Sequence, residues 1–155
     1  MSTWAAPTVS QEIAAAIRST LAALLPAGTA VYADGVPETD LAAVDVDGNP
    51  VEKEWILPAV VIGVSFPNPY QYKSSLLGYP LDVKVVSHYS KDRFQQTLYA
   101  LADPVSQWLC LPSLSLTLAT FHALTISAPP ERLFDGNLQA FQWKGEVKTQ
   151  KLATP

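Results

Sequence analysis

Tyr79-Pro80-Leu81-Asp82-Val83-Lys84-Val85-Val86-Ser87 runs without a break through His88-Tyr89-Ser90-Lys91-Asp92 into a segment that ends at Leu109. Leu81, Val83 and Val85 alternate with Asp82 and Lys84, the period of two of a β-strand with one face buried. Beyond it Phe94, Leu98, Leu101, Val105 and Leu109 recur three or four residues apart, which puts them on one stripe of an α-helix. Ser90 is the expected N-cap. Asp92 offers a carboxylate to the first turn, where unpaired N–H groups and the helix dipole favour negative charge. A striped helix directly after a half-buried strand needs a sheet to lie on. Trp55–Phe66 and Leu138–Thr149 are the segments expected to complete that sheet.

Outward from this centre, Thr8 and Gln11 have the spacing of a capping box. Ile13, Ile17, Leu21, Leu24 and Leu25 then make one apolar helix face, which Pro26-Ala27-Gly28 stops. Ala30-Val31-Tyr32 reads as a short strand. Asp47-Gly48-Asn49-Pro50 reads as the turn of a small hairpin between Val44/Val46 and Val51. Ala59-Val60-Val61-Ile62-Gly63-Val64 is continuous and β-branched, as in a central strand covered on both faces, with Pro58 at its start. Pro67-Asn68-Pro69-Tyr70-Gln71-Tyr72-Lys73-Ser74-Ser75 holds two prolines and is expected as a long loop continuing to Gly78, neither helix nor regular strand. Pro104 either kinks the main helix or restarts it with Asp103 as cap; a kink with the stripe continuing is the favoured reading, and Leu111-Pro112 ends the helix. Phe121–Ser127 forms a further strand, and Glu131–Asn137 carries the chain round to a turn at Asp135-Gly136-Asn137. In the last strand Phe141, Trp143 and Val147 share one face, and Gln142, Lys144, Glu146 and Lys148 the other. The expectation is a single α+β domain over 1–155, with flexible termini at 1–7 and 150–155. Its sheet is mixed and mostly antiparallel, with two main α-helices packed on one face.

Composition narrows the function. The 155 residues suffice for one self-standing core. Only 15% of them are charged, which leaves surface to be covered by something uncharged, such as a partner subunit. A net charge of −4 gives no basic footprint for a phosphate backbone, so nucleic acid is not expected as a specific ligand. The single cysteine, Cys110, rules out an intramolecular disulfide and reads as a buried, inert thiol. The start of the chain does not read as a secretory signal, and no window approaches the ~18 apolar residues of a membrane span. The expected setting is soluble and cytosolic.

Chemistry is sparsely represented. His88 and His122 are the two histidines. Asp92 lies near His88 in sequence, but a structural or surface role is the simpler reading for both rings. Gly63-Val64-Ser65-Phe66-Pro67 lacks the second glycine of a nucleophile elbow. Asp45-Val46-Asp47-Gly48-Asn49 places its glycine too early for a calcium loop. No metal, cofactor or catalytic residue is assigned. Trp55, Trp108 and Trp143 lie in periodic segments and read as core. The loop residues Pro67, Asn68, Pro69, Tyr70, Gln71, Tyr72 and Lys73 are the candidate interface with an adjacent subunit or the tube, since prolines, tyrosines and little charge suit protein contact.

The order of elements, with the apolar strand Pro58-Ala59-Val60-Val61-Ile62, the long loop, and Tyr79–Ser87 feeding through Ser90-Lys91-Asp92 into a helix, resembles the tail terminator (tail completion) proteins of long-tailed bacteriophages. The likeness covers roughly Ser10 to Thr149. It implies an α+β subunit assembling as a hexameric ring on the end of the tail tube, halting tube polymerisation and meeting the head-tail connector of the neck. It implies a virion location, with host cytoplasm during assembly, DNA passing through the ring, no enzymatic activity and no cofactor. The extended 33–54 segment departs from that pattern. Another neck, head-closure or baseplate adaptor ring is an alternative, as is a small cytosolic enzyme or ligand-binding domain.

Overall fold

The computed structural model describes residues 8–33, 42–44, 47, 50–52, 57–92 and 95–151. Trp55, Phe94, the Val46, Gly48 and Asn49 positions of the expected hairpin, and the termini up to 7 and from 152 lie outside these residues. Within them the chain runs α1 (Val9–Leu24), β1 (Ala30–Ala33), β2 (Ala42–Val44), β3 (Pro50–Glu52), β4 (Ala59–Val64) and β5 (Leu76–His88). It continues through α2 (Gln96–Cys110), β6 (Ala119–Ile126), β7 (Glu131–Asp135) and β8 (Leu138–Lys151). The main sheet has six strands in the order β1-β4-β5-β8-β6, and β7 also pairs with β8. Only β1 and β4 are parallel; the other pairs are antiparallel. β2 and β3 form the expected small hairpin, with Ala43 opposite Val51.

Register explains why both helices share one face. Val60 sits opposite Val85, Val83 opposite Trp143, and Tyr79 opposite Val147, so these apolar side chains project to the same side. They join one buried cluster with Ile13, Ile17 and Leu21 of α1 and with Leu98, Leu101, Val105 and Leu109 of α2. The opposite face carries Asp82, Lys84, Lys144, Glu146 and Lys148 and has no helix on it among the described residues. The fold is α+β, as the periodicities predict.

The cap of α1 is the capping box: Gln11 N–H donates to Thr8 Oγ1 and Thr8 N–H to Gln11 Oε1. Leu24, assigned to the apolar face, is half exposed instead, while Leu25 turns in. Glu12 then ties the start of α1 to the start of β6, its carboxylate accepting from the N–H groups of Thr117 and Leu118.

The entry to α2 differs from expectation. The helix begins at Gln96, and Ser90 lies in a preceding turn, where its N–H donates to Asn137 Oδ1 and its Oγ accepts from Asn137 Nδ2. Gln95 is the formal cap, in a left-handed conformation with φ 59°, and makes no side-chain cap bond. Asp92 does the capping from outside: Oδ1 accepts from Thr97 N–H at 3.0 Å and Oδ2 from Leu98 N–H at 2.9 Å. Pro104 lies inside α2 and the stripe continues past it to Leu109. Cys110, one step beyond the stripe, is exposed and not buried.

Three further differences concern two strands and the loop before one of them. β5 starts at Leu76, three residues before Tyr79, so the loop expected to continue to Gly78 ends at Ser75. Pro80 is tolerated inside it because its nitrogen and carbonyl point toward β4, which has ended at Val64; the carbonyl takes Ser65 N–H instead. β7 occupies Glu131–Asp135, where a connecting segment was expected, and pairs with β8 through the predicted turn, Gly136 adopting φ 59°. The segment Pro67–Ser75 holds a 3-10 turn, Pro69–Lys73, and so is not free of helical structure. Pro69 begins that turn, where no donor is required.

Candidate interaction surfaces

Strand directions place the ends of β1, β4 and β8 and the starts of β5 and β6 at one end of the sheet. The Pro67–Lys73 segment sits there as a built feature. Gln71 N–H donates to Asn68 O and Ser74 N–H to Gln71 O, closing the turn. Gln71 Oε1 accepts from Gly78 N–H at 3.2 Å, which anchors it to β5. Lys151 clamps it from β8, its N–H on Ser75 O and its Nζ on Tyr72 O. Pro67 is buried beneath, Gln71 is half-buried, and Asn68, Pro69 and Lys73 are exposed; Tyr70 lies within the turn. Tyr72 is 49% exposed and lies near the buried Tyr79. Burial, and then the Tyr72 phenol, raise the ionisation of Tyr79 above its ordinary 10.0.

Large apolar side chains left exposed fall mainly into two separate groups. Phe66, Tyr72, Leu76 and Leu118 belong to segments at the end just described. Tyr89, Tyr99 and Phe134 lie toward the other end, where α2 begins and β7 runs. This second patch was not foreseen. Tyr89 stands edge-on to Phe134 at 6.4 Å, and Tyr99 edge-on to Phe141 at 5.2 Å. Arg132 covers Phe134 at 5.2 Å and approaches Phe141 at 6.0 Å. Between α2 and β8, Tyr99 and Phe141 border a groove of about 210 Å3, lined also by Ala102, Asp103, Ser106, Pro130 and Trp143. The groove exists because β6 and β7 form an interrupted edge along β8: β6 reaches Gly145 and β7 resumes at Gln142, with Ser127–Pro130 between them. The signal available in the sequence was Tyr99, which falls off the Leu98–Leu101–Val105 stripe.

The helix-free face carries a larger concavity of about 600 Å3 across Gly63, Pro80, Asp82 and Lys144. Asp82 is held there by Gln142, whose Nε2 donates to both carboxylate oxygens at 2.8 and 2.9 Å.

Among the described residues the histidines do not converge on a carboxylate. His122 is exposed in β6, beside the irregularity between Phe121 and Ala123. His88 is half-buried, its Nδ1 3.4 Å from Asn137 Nδ2. Asp92, its neighbour in sequence, is committed to Ser87, Thr97 and Leu98. Among the described residues no three His, Cys, Asp or Glu side chains gather as a metal site, and no helix is long and apolar enough to cross a membrane. No model of a known protein family matches the chain, and no curated protein matches it.

Proposed function

We propose that the chain is a structural virion protein that forms a ring at the end of a phage tail tube, stops tube polymerisation and provides the joint to the head-tail connector. The observation that carries this reading is that most of the exposed large apolar side chains, Leu24 and Leu111 apart, fall into two unlike groups toward opposite ends of one sheet. Two unlike patches suit heterologous contacts between identical subunits, which close into rings when the rotation permits. The element order supports it as well, since the sequence resembles tail terminators in that order. In this reading the protein is not an enzyme and needs no cofactor, and its partners are its own copies, the tube protein and the connector. Its place is the tail or neck of the virion, after assembly in the host cytoplasm.

The test is tube assembly observed by electron microscopy. Adding the protein to growing tail tubes should arrest their elongation and leave a ring of extra density on one tip. Tubes that lengthen at the same rate with bare tips would refute the proposal.

A further inference from the structure

A heterologous contact needs a projecting feature and a recess that fit each other, and this fold offers a candidate for each; of its concavities of about 600, 340 and 210 Å3, the smallest is the one walled by three aromatic rings. The recess is the groove of about 210 Å3 between α2 and β8. An enclosed cavity of roughly 150 Å3 holds a benzene ring, so this open groove has the volume to seat one aromatic ring against its walls. Its walls include Tyr99, Phe141 and Trp143, which favour an aromatic guest packed edge-on. Asp103 borders it, an exposed carboxylate accepting from Gln107 Nε2 at 3.0 Å.

The candidate projecting feature is the 3-10 turn, whose Pro69, Tyr72 and Lys73 are exposed. Its half-exposed ring, Tyr72, is followed directly by Lys73, the one charged residue between Pro67 and Gly78. The turn is already fixed by Gln71 and Lys151, so little freedom is lost on docking. A ring followed by a cation thus faces an aromatic recess bordered by a carboxylate. The turn cannot serve its own groove. Trp143 lies opposite Val83, seven residues along β5 from Leu76, a separation of roughly 23 Å at 3.3 Å per residue.

The geometry points to insertion of Tyr72 of one copy into the α2–β8 groove of the next, with the Lys73 ammonium set against the Asp103 carboxylate. This rests on the ring reading and names its lateral contact. Phe66, Leu76 and Leu118 remain outside it, available to the tube.

The experiment is a charge-reversal cycle on the full chain. Wild type, Lys73→Glu, Asp103→Lys and the double variant are compared by sedimentation velocity, alone and on tail tubes, with circular dichroism confirming the fold. Both positions are exposed, so the folded state should persist. Each single reversal should weaken self-association by about tenfold or more, and the double variant should recover most of it. Tyr72→Ala should weaken it as well. Single variants that associate like wild type, or a double variant no better than the singles, would overturn this contact while leaving the ring reading standing. A wild-type chain that stays monomeric alone and on tubes would overturn both.

Discussion

Replacing Asp92 by alanine tests the most local part of the account, the claim that a carboxylate three residues upstream of the formal cap holds α2 against the sheet. Asp92 accepts two backbone N–H bonds from the first turn and a third from Ser87 Oγ at 3.0 Å. Gln139, fully buried, donates to Ser87 Oγ and to the Asp92 carbonyl, so β5, β8 and α2 meet at this one residue. Hydrogen bonds to a charged group contribute about 1.5–3 kcal/mol each, and a lost helix cap about 1 kcal/mol. Asp92 is only half-buried, so water replaces part of what the two N–H groups lose, whereas the buried Ser87 hydroxyl is left without its acceptor. The expected cost is about 3 kcal/mol, which at a urea dependence of about 2 kcal/mol/M lowers the unfolding midpoint by about 1.5 M. Asp92→Asn retains one acceptor oxygen and should cost about half as much. Ser90→Ala removes no helix cap and should cost less than about 0.5 kcal/mol. Urea titrations of the three variants decide the matter. A Ser90→Ala loss equal to that of Asp92→Ala would refute the assignment of the cap.

Other positions yield equally direct expectations. Gly145 sits where an added Cβ would run into the Thr125 carbonyl and Ile126, so Gly145→Ala should cost several kcal/mol or abolish soluble expression, measured by yield and thermal unfolding. Thr149 is fully buried and its hydroxyl has no hydrogen-bond partner among the described residues, so Thr149→Val should raise stability by about 1 kcal/mol in the same titrations. Tyr79 ionises above 10.0 in the folded chain, so the unfolded chain releases that proton first and stability falls as pH rises past 10.0. Tyr79→Phe should flatten that alkaline decline, read from melting temperature against pH.

Much of the fold was legible because periodicity reports burial, and burial is what the sheet and helices share. Val83 and Val85 or Leu101 and Val105 announce their faces without help from the rest of the chain. The misses have a common cause, in that tertiary partners overrode a local signal. Ser90 is a good cap by type, but Asn137, 47 residues away, takes its N–H and frees Asp92 to reach the helix. Pro80 and Gly78 look like breakers, yet β4 ends beside the first and the Glu146 side chain crosses above the second. β7 has a strand's length and a clear turn after it, but Glu131, Arg132 and Asp135 gave it no apolar face. The candidate loop was recognisable from its prolines and tyrosines. Its counterpart, the aromatic groove, was not, because Tyr99, Pro130 and Phe141 are brought together only by the gap between β6 and β7.

The central claim is that this chain assembles as a closed ring through unlike surfaces of identical subunits. Native mass spectrometry over a wide range of protein concentration, with the chain alone and bound to tail tubes, tests it most directly. The account predicts one discrete oligomeric mass that does not grow with concentration, and the same stoichiometry on the tube tip. A monomer under every condition, or an open series of increasing masses, would contradict it.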